Sequence, residues 1–268
     1  MSRTRGTWTG KGMWLAGIAT AAVLALTGYG LLSGDGGDGE GAAQGKAPAA
    51  SPGASQGVPS PAASYEQPKD WTEPQRWAVL PRGQSTDAHG SKVGFPHTKE
   101  GAIAMMLAGS NTAIGDGKSA VSEQLRVYRS YFAKADQTPE ATRLTEEMGQ
   151  SLDESLAKQM GGKPGKLPPG AYMRTTAVGF KVVKQSENEV GIWVLSLAVG
   201  RGGETEQETS AYTRNLYAAQ WTDGDWKATI AATQRVRQET GLQGAPEIVA
   251  PGDAAFNQAG WTALREAS

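Results

Sequence analysis

The stretch YAAQWTDGDWKATI, Tyr217 to Ile230, decides how the chain is built. Two tryptophans flank an Asp-Gly pair at equal distance. A two-residue Asp-Gly loop between alternating segments is a strong hairpin signal, because a type I′ turn needs positive φ at both central residues. With Asp223 and Gly224 in the turn, Thr222 faces Asp225, Trp221 faces Trp226, Ala219 faces Ala228 and Tyr217 faces Ile230. Side chains alternate along a strand, so the last three pairs share one apolar face. Ala218, Gln220, Thr222, Asp225, Lys227 and Thr229 form the other, mostly polar face. The expectation is a sheet packed on one side and wet on the other, with the Trp pair in the core. A stacking platform for a sugar or base would need a basic groove with interleaved aromatics, which the neighbouring sequence lacks.

Outward from the hairpin the alternating pattern continues upstream. Residues 175–185 (TTAVGFKVVKQ), 189–200 (EVGIWVLSLAVG) and 208–221 (ETSAYTRNLYAAQW) read as strands joined by the turns SEN and RGGETEQ. With the hairpin they make four consecutive antiparallel strands. Before them the pattern is helical. Thr98 is an expected N-cap with Glu100 in the first turn, opening a helix to about Thr112 with Ile103, Met106, Leu107 and Ser110 in register. A second helix starts near Lys118, with Val121, Leu125, Tyr128 and Phe132 as its apolar stripe. A third opens on Thr138-Pro139-Glu140, turns Leu144, Met148, Leu152, Leu156 and Met160 inward, and stops at Gly161-Gly162. A short strand is expected at 77–80 and an amphipathic terminal helix at 253–266. The expected fold class is α+β: three helices packed on a curved four-stranded antiparallel sheet.

The first 70 residues have another character. From Met13 to Leu32 there is no charge, and about 20 helical residues span a bilayer core. Arg3, Arg5 and Lys11 precede this run while Asp35, Asp38 and Glu40 follow it, which predicts a cytoplasmic N-terminus and an extracellular C-terminal domain in the cell membrane. The rival reading, a cleaved signal peptide, expects a shorter run and a clear cleavage site. Residues 33–70 are Gly, Ala, Ser and Pro with almost nothing apolar, a composition that predicts a disordered tether spanning on the order of 35 Å. The expected organisation is therefore a cytoplasmic 1–12, a transmembrane signal anchor 13–32, a linker 33–70 and an extracytoplasmic α+β domain 71–268.

Composition narrows the function classes. Net charge is −1, without the basic footprint of direct nucleic-acid binding. The chain has no cysteine, which removes disulfides and thiol chemistry. His89 and His97 are its only histidines, and His97 with Glu100 is too sparse a set for a metal. No phosphate loop and no G-x-S-x-G motif occurs. The inward positions of strands 175–199 read Val, Phe, Val, Ile, Val and Leu, with no carboxylate or His to serve a pocket enzyme. The acidic turn at Glu187 and Glu189 reads as solvated, and Arg235 with Arg237 as solvated or partner-facing. No catalytic residue, cofactor-binding residue or metal ligand is assigned.

Two motifs carry a resemblance. VGFPHTKEGAIAMM (Val93 to Met106) and WTDGDWK (Trp221 to Lys227), with WAVLP (Trp77 to Pro81) ahead of them, resemble a family of membrane-anchored actinobacterial proteins of integrative and conjugative elements. That family usually has Pro where Lys99 stands here. Three helices followed by a bent sheet likewise resemble the cystatin-like fold of the nuclear-transport-factor-2-like superfamily. The arrangement is similar to the conjugation protein TcpC and to the inner-membrane assembly factors of type IV secretion systems. The resemblance implies a non-enzymatic, membrane-anchored structural component of a conjugative transfer apparatus. Its implied partners are other envelope transfer proteins or a second copy of itself, with the membrane met through residues 13–32. An extracytoplasmic ligand-binding or sensor module is the alternative, and a small pocket enzyme of the same fold the third reading.

Overall fold

The computed structural model describes residues 71–240 and 244–265. The order of elements is β1 (Trp77–Val79), β2 (Ser85–Thr86), β3 (Lys92–Val93), α1 (Lys99–Ser110), β4 (Thr112–Gly115), α2 (Ala120–Tyr131), α3 (Pro139–Met160), β5 (Tyr172–Gln185), β6 (Glu189–Arg201), β7 (Thr209–Thr222), β8 (Asp225–Ala228), α4 (Ile230–Thr240), α5 (Ala254–Gln258) and β9 (Thr262–Arg265).

The three early helices begin where their caps dictate. Thr98 Oγ1 accepts from the Gly101 amide at 3.1 Å, and Thr138 Oγ1 from the Ala141 amide at 3.1 Å. Ser119 and Ser122 form a reciprocal capping box at the start of α2. Asp153, reaching over from α3, also accepts from Ala120 N at 2.8 Å and Val121 N at 3.3 Å. The α2–α3 crossing is close: a Cβ on Gly149 would lie 2.6 Å from Val121 Cα. The buried line of α3 is therefore Ala141, Thr145, Gly149, Leu152 and Leu156 rather than the expected leucine and methionine row. Leu144, Met148 and Met160 are only half-buried.

The hairpin pairs Trp221 with Trp226, Ala219 with Ala228 and Thr222 with Asp225. Asp223 and Gly224 both take positive φ, 54° and 77°. The expected Tyr217–Ile230 pair does not form. Thr229 Oγ1 instead accepts from the Ala232 amide at 3.1 Å and turns the chain into α4, and Tyr217 pairs with Ile192 of β6.

The expected four-stranded antiparallel sheet is corrected to a mixed seven-stranded one, in the order β1-β9-β5-β6-β7-β8 with β4 also on β5. β1 and β9 are parallel, Trp77 opposite Ala263. Five α-helices are present among the described residues, not three with a terminal fourth. The terminal segment is not one helix. Gly260, at φ 84°, stops it after α5, and Trp261 and Ala263, two apart, then point together into the core as strand residues do. Helix α1 ends at Ser110, before Thr112, because Asn111 turns out and its Oδ1 accepts from Ala177 N at 2.8 Å.

Neither sheet face is left wet along its centre. α1 and α2 cover one face over Phe180, Val190, Ile192, Val194, Tyr217, Ala219 and Trp226. The segment from α4 to β9 covers the other over Trp193, Leu195, Leu216 and Ala218. This explains the near-continuous apolar run of β6, which alternation alone does not. A bulge between Ala177 and Gly179 also resets the alternation, so Val178 and Phe180 join opposite faces rather than one inward row.

Among the described residues no helix is long and apolar enough to cross a membrane. The single-pass placement in the cell membrane is corrected on that finding. The segments 1–12, 13–32 and 33–70 lie outside the described residues.

Candidate functional site

The two quoted motifs meet in space. The Asp225 carboxylate, directly after the hairpin turn, accepts from the amides of Gly94 at 3.1 Å and Phe95 at 3.0 Å. Trp226 Nε1 donates to Pro96 O at 2.9 Å. Lys227 Nζ binds Asp225 Oδ2 at 3.0 Å and Ser130 O at 2.9 Å, which ties the hairpin to the end of α2. Each motif residue has a structural reason. Gly94 holds φ 75°, Phe95 is buried, and Thr98 caps α1. A Cβ on Gly101 would sit 2.0 Å from Pro96 O, so only glycine lets α1 start this close to its lead-in.

His97 stands at the surface of this joint. Its ring stacks on Trp221, centroids 4.0 Å apart and planes 9° from parallel, with Trp226 edge-on at 5.6 Å. Nε2 lies 2.9 Å from Asn188 Oδ1 and 3.2 Å from Glu187 O. A backbone carbonyl only accepts, which assigns the ring proton to Nε2. The side chain ties the α1 lead-in to the β5–β6 turn. His89 lies apart, exposed in the turn after β2, where its amide donates to Asp87 Oδ1 at 2.9 Å. Among the described residues no group of three or more His, Cys, Asp or Glu could hold a metal.

Two charged clusters went unread in the sequence. Arg126 grips the buried Glu123 with Nε and one terminal nitrogen, both at 2.8 Å, and reaches Ser91 Oγ at 2.7 Å and Asn111 O at 3.1 Å. Burial alone would lower the Arg126 pKa, but the Glu123 carboxylate outweighs it and raises the value, so the guanidinium stays charged. Burial raises the neighbouring Tyr131 hydroxyl, which stays protonated. The i,i+3 spacing of Glu123 and Arg126 was the only available signal, and on an isolated helix it reads as a surface pair. The second cluster corrects the solvated reading of Glu189. Glu189 is buried beneath Arg235 of α4, which hydrogen-bonds it, and lies 2.9 Å from Lys184 Nζ. Burial pushes its pKa up, yet the bonds to Arg235 and Lys184 bring it below the usual 4.5.

Chemically the joint and both clusters do one thing: they fasten elements distant in sequence. Comparison with known proteins places nothing beside this chain, since no family model, no curated protein and no solved structure matches it.

Proposed function

We propose that the protein is a non-enzymatic structural component of a conjugative transfer apparatus. It works by contact with other proteins of that apparatus or with a second copy of itself. The observation that carries this reading is the joint between Val93–Thr98 and Trp221–Lys227. Its Asp225 carboxylate, its Trp226 indole N–H and the Nε2 of His97 are all bonded within the chain. Groups committed to holding elements together are poorly placed to move a substrate proton. The resemblance of the same two segments to conjugative-element proteins supplies the biological setting.

Transfer frequency of the host element, measured beside circular dichroism, tests the reading. His97→Ala and Glu187→Gln, folded, keep transfer within about tenfold of wild type. Loss of a catalytic acid or base typically removes about 10²–10⁴ in rate, so a folded His97→Ala protein with a hundredfold loss overturns the proposal. Deletion of the whole gene abolishes transfer on this reading, and unimpaired transfer without it overturns it too.

A further inference from the structure

The seven-stranded sheet has three borders, and two of them are closed. Along β8, the Asp225 carboxylate holds the Gly94 and Phe95 amides, and Ala133 N donates to Ala228 O at 3.0 Å. Along β4, Glu123 Oε1 accepts from Ala113 N at 3.2 Å. The third border is β1, which pairs with β9 alone. Ala263 N donates to Arg76 O at 2.9 Å. In a parallel ladder of this register the N–H and C=O of Ala78 face β9, while those of Trp77 and Val79 face away. Among the described residues no backbone hydrogen bond reaches them from the outer side. An open row of this kind is a template for another strand.

The side chains along this border suit a contact surface. Val79 is 60% exposed, the only large apolar side chain so placed among the described residues. A lone exposed valine is ordinary, but this one stands on an open sheet edge. Its surroundings are basic. Arg265 of β9, in register with Val79, reaches across to lie over the Trp77 ring at 4.6 Å. Arg76 and Lys181 both lie beside Gly260, where Arg76 Nε donates to Trp261 O at 3.3 Å and Lys181 Nζ to Ala259 O at 3.0 Å. None of these three cations forms an ion pair among the described residues. Glu73, three residues before Arg76, takes the Trp71 indole N–H at 3.2 Å instead.

We propose that the β1 edge docks an extended acidic segment of a partner protein as an added strand, with an apolar residue beside Val79 and carboxylates toward Arg76, Lys181 and Arg265. Main-chain bonds to Trp77 and Val79 set the register, and alternate side chains choose the partner. A second copy is the poorer occupant. It would bring the same cations to a joint that already holds three, and like charges facing each other across strands destabilise. β1 has three residues and Pro81 follows shortly, so the added segment is short and the grip weak. The inference rests on the contact role proposed above and names the surface that performs it.

Amide NMR of the full chain, titrated with the end-blocked peptide Glu-Val-Thr-Val-Glu and with Lys-Val-Thr-Val-Lys as control, tests the edge. Saturable shifts are expected at Trp77 and Val79 at millimolar concentration, with the lysine peptide binding at least tenfold more weakly. Salt raised from about 0.05 to about 0.5 M weakens the acidic peptide at least threefold. Val79→Pro removes an outward N–H that β9 does not use, and Val79→Glu keeps that N–H but adds a like charge. Each weakens binding at least tenfold with circular dichroism unchanged, and if Val79→Pro unfolds, Val79→Glu decides alone. No saturable shifts, equal affinity for the lysine peptide, or a dimer in sedimentation that Val79→Pro dissolves overturns the proposal. Transfer frequency separates it from the role it rests on. A folded Val79→Glu protein with wild-type transfer, where deletion of the gene abolishes transfer, overturns the edge and leaves the contact role standing.

Discussion

Trp226 shows most plainly what a single residue does here. It is fully buried, packs edge-on to Trp221 at 5.5 Å, and its indole N–H satisfies Pro96 O. Trp226→Ala should lower unfolding free energy by roughly 3–5 kcal/mol, read by urea denaturation of the full chain, since it leaves a cavity and an unpaired carbonyl. A loss under about 1 kcal/mol would remove Trp226 from the core. His97 offers a contrast: its ring is exposed although stacked, so His97→Ala should cost only about 0.5–1.5 kcal/mol by the same measurement. The Trp pair was legible in the sequence because an Asp-Gly turn fixes register without outside help. The partners of Asp225 and His97 were not, because they come from segments about 130 and 90 residues away in the chain. Local patterns carry no information about such pairs.

At the scale of elements, helix starts and the buried row of α1 were readable, and the face of α3 was not. Thr98 and Thr138 announce themselves by side-chain chemistry that acts within three residues, while the Ser119 cap of α2 was not read and its start was placed only near Lys118. The buried face of α3 depends instead on how near α2 comes, and Gly149 marks that contact. Gly149→Ala is a useful probe because two effects oppose each other. Helix propensity favours Ala by about 0.5–1 kcal/mol, while a methyl forced against the Val121 backbone costs about 1–3 kcal/mol. Backbone cannot swing aside as a side chain does, so the steric term wins and thermal denaturation should show a lower Tm. A second probe is Asp153→Ala, which strips α2 of an acceptor for two amides. It should cost about 0.5–2 kcal/mol, and an unchanged denaturation midpoint would show that the Ser119 capping box suffices alone. The terminal segment was misread for a related reason. Phe256, Trp261 and Leu264 fit a helical stripe on paper, but a glycine at positive φ separates the first from the other two.

Across the whole molecule, stability rests on layers that the sequence shows only in part, and on carboxylates held charged. Asp87 and Glu189 both ionise below their usual values of 3.8 and 4.5, as hydrogen bonds outweigh the desolvation that would raise them. A depressed carboxylate contributes its stability above the unfolded pKa and loses it as pH falls through the folded one. The urea midpoint should therefore hold from neutral pH down to about 4.5 and fall below it. Glu189→Gln should flatten that fall, and an identical acid profile in the variant would show that the Arg235–Glu189–Lys184 cluster plays no part in it. The second layer was hidden because covering a sheet's outer face takes residues far along the chain, and the polar positions of the hairpin spoke for water instead. β9, lying between β1 and β5, has one more consequence. On the ribosome, β1 emerges early and must wait for most of the described domain to be made before β9, its neighbour in the sheet, appears. Once β5 has been made, its edge at Gly179 and Phe180 stays open until β9 follows, and β9 then acts as the latch that closes the sheet between β1 and β5.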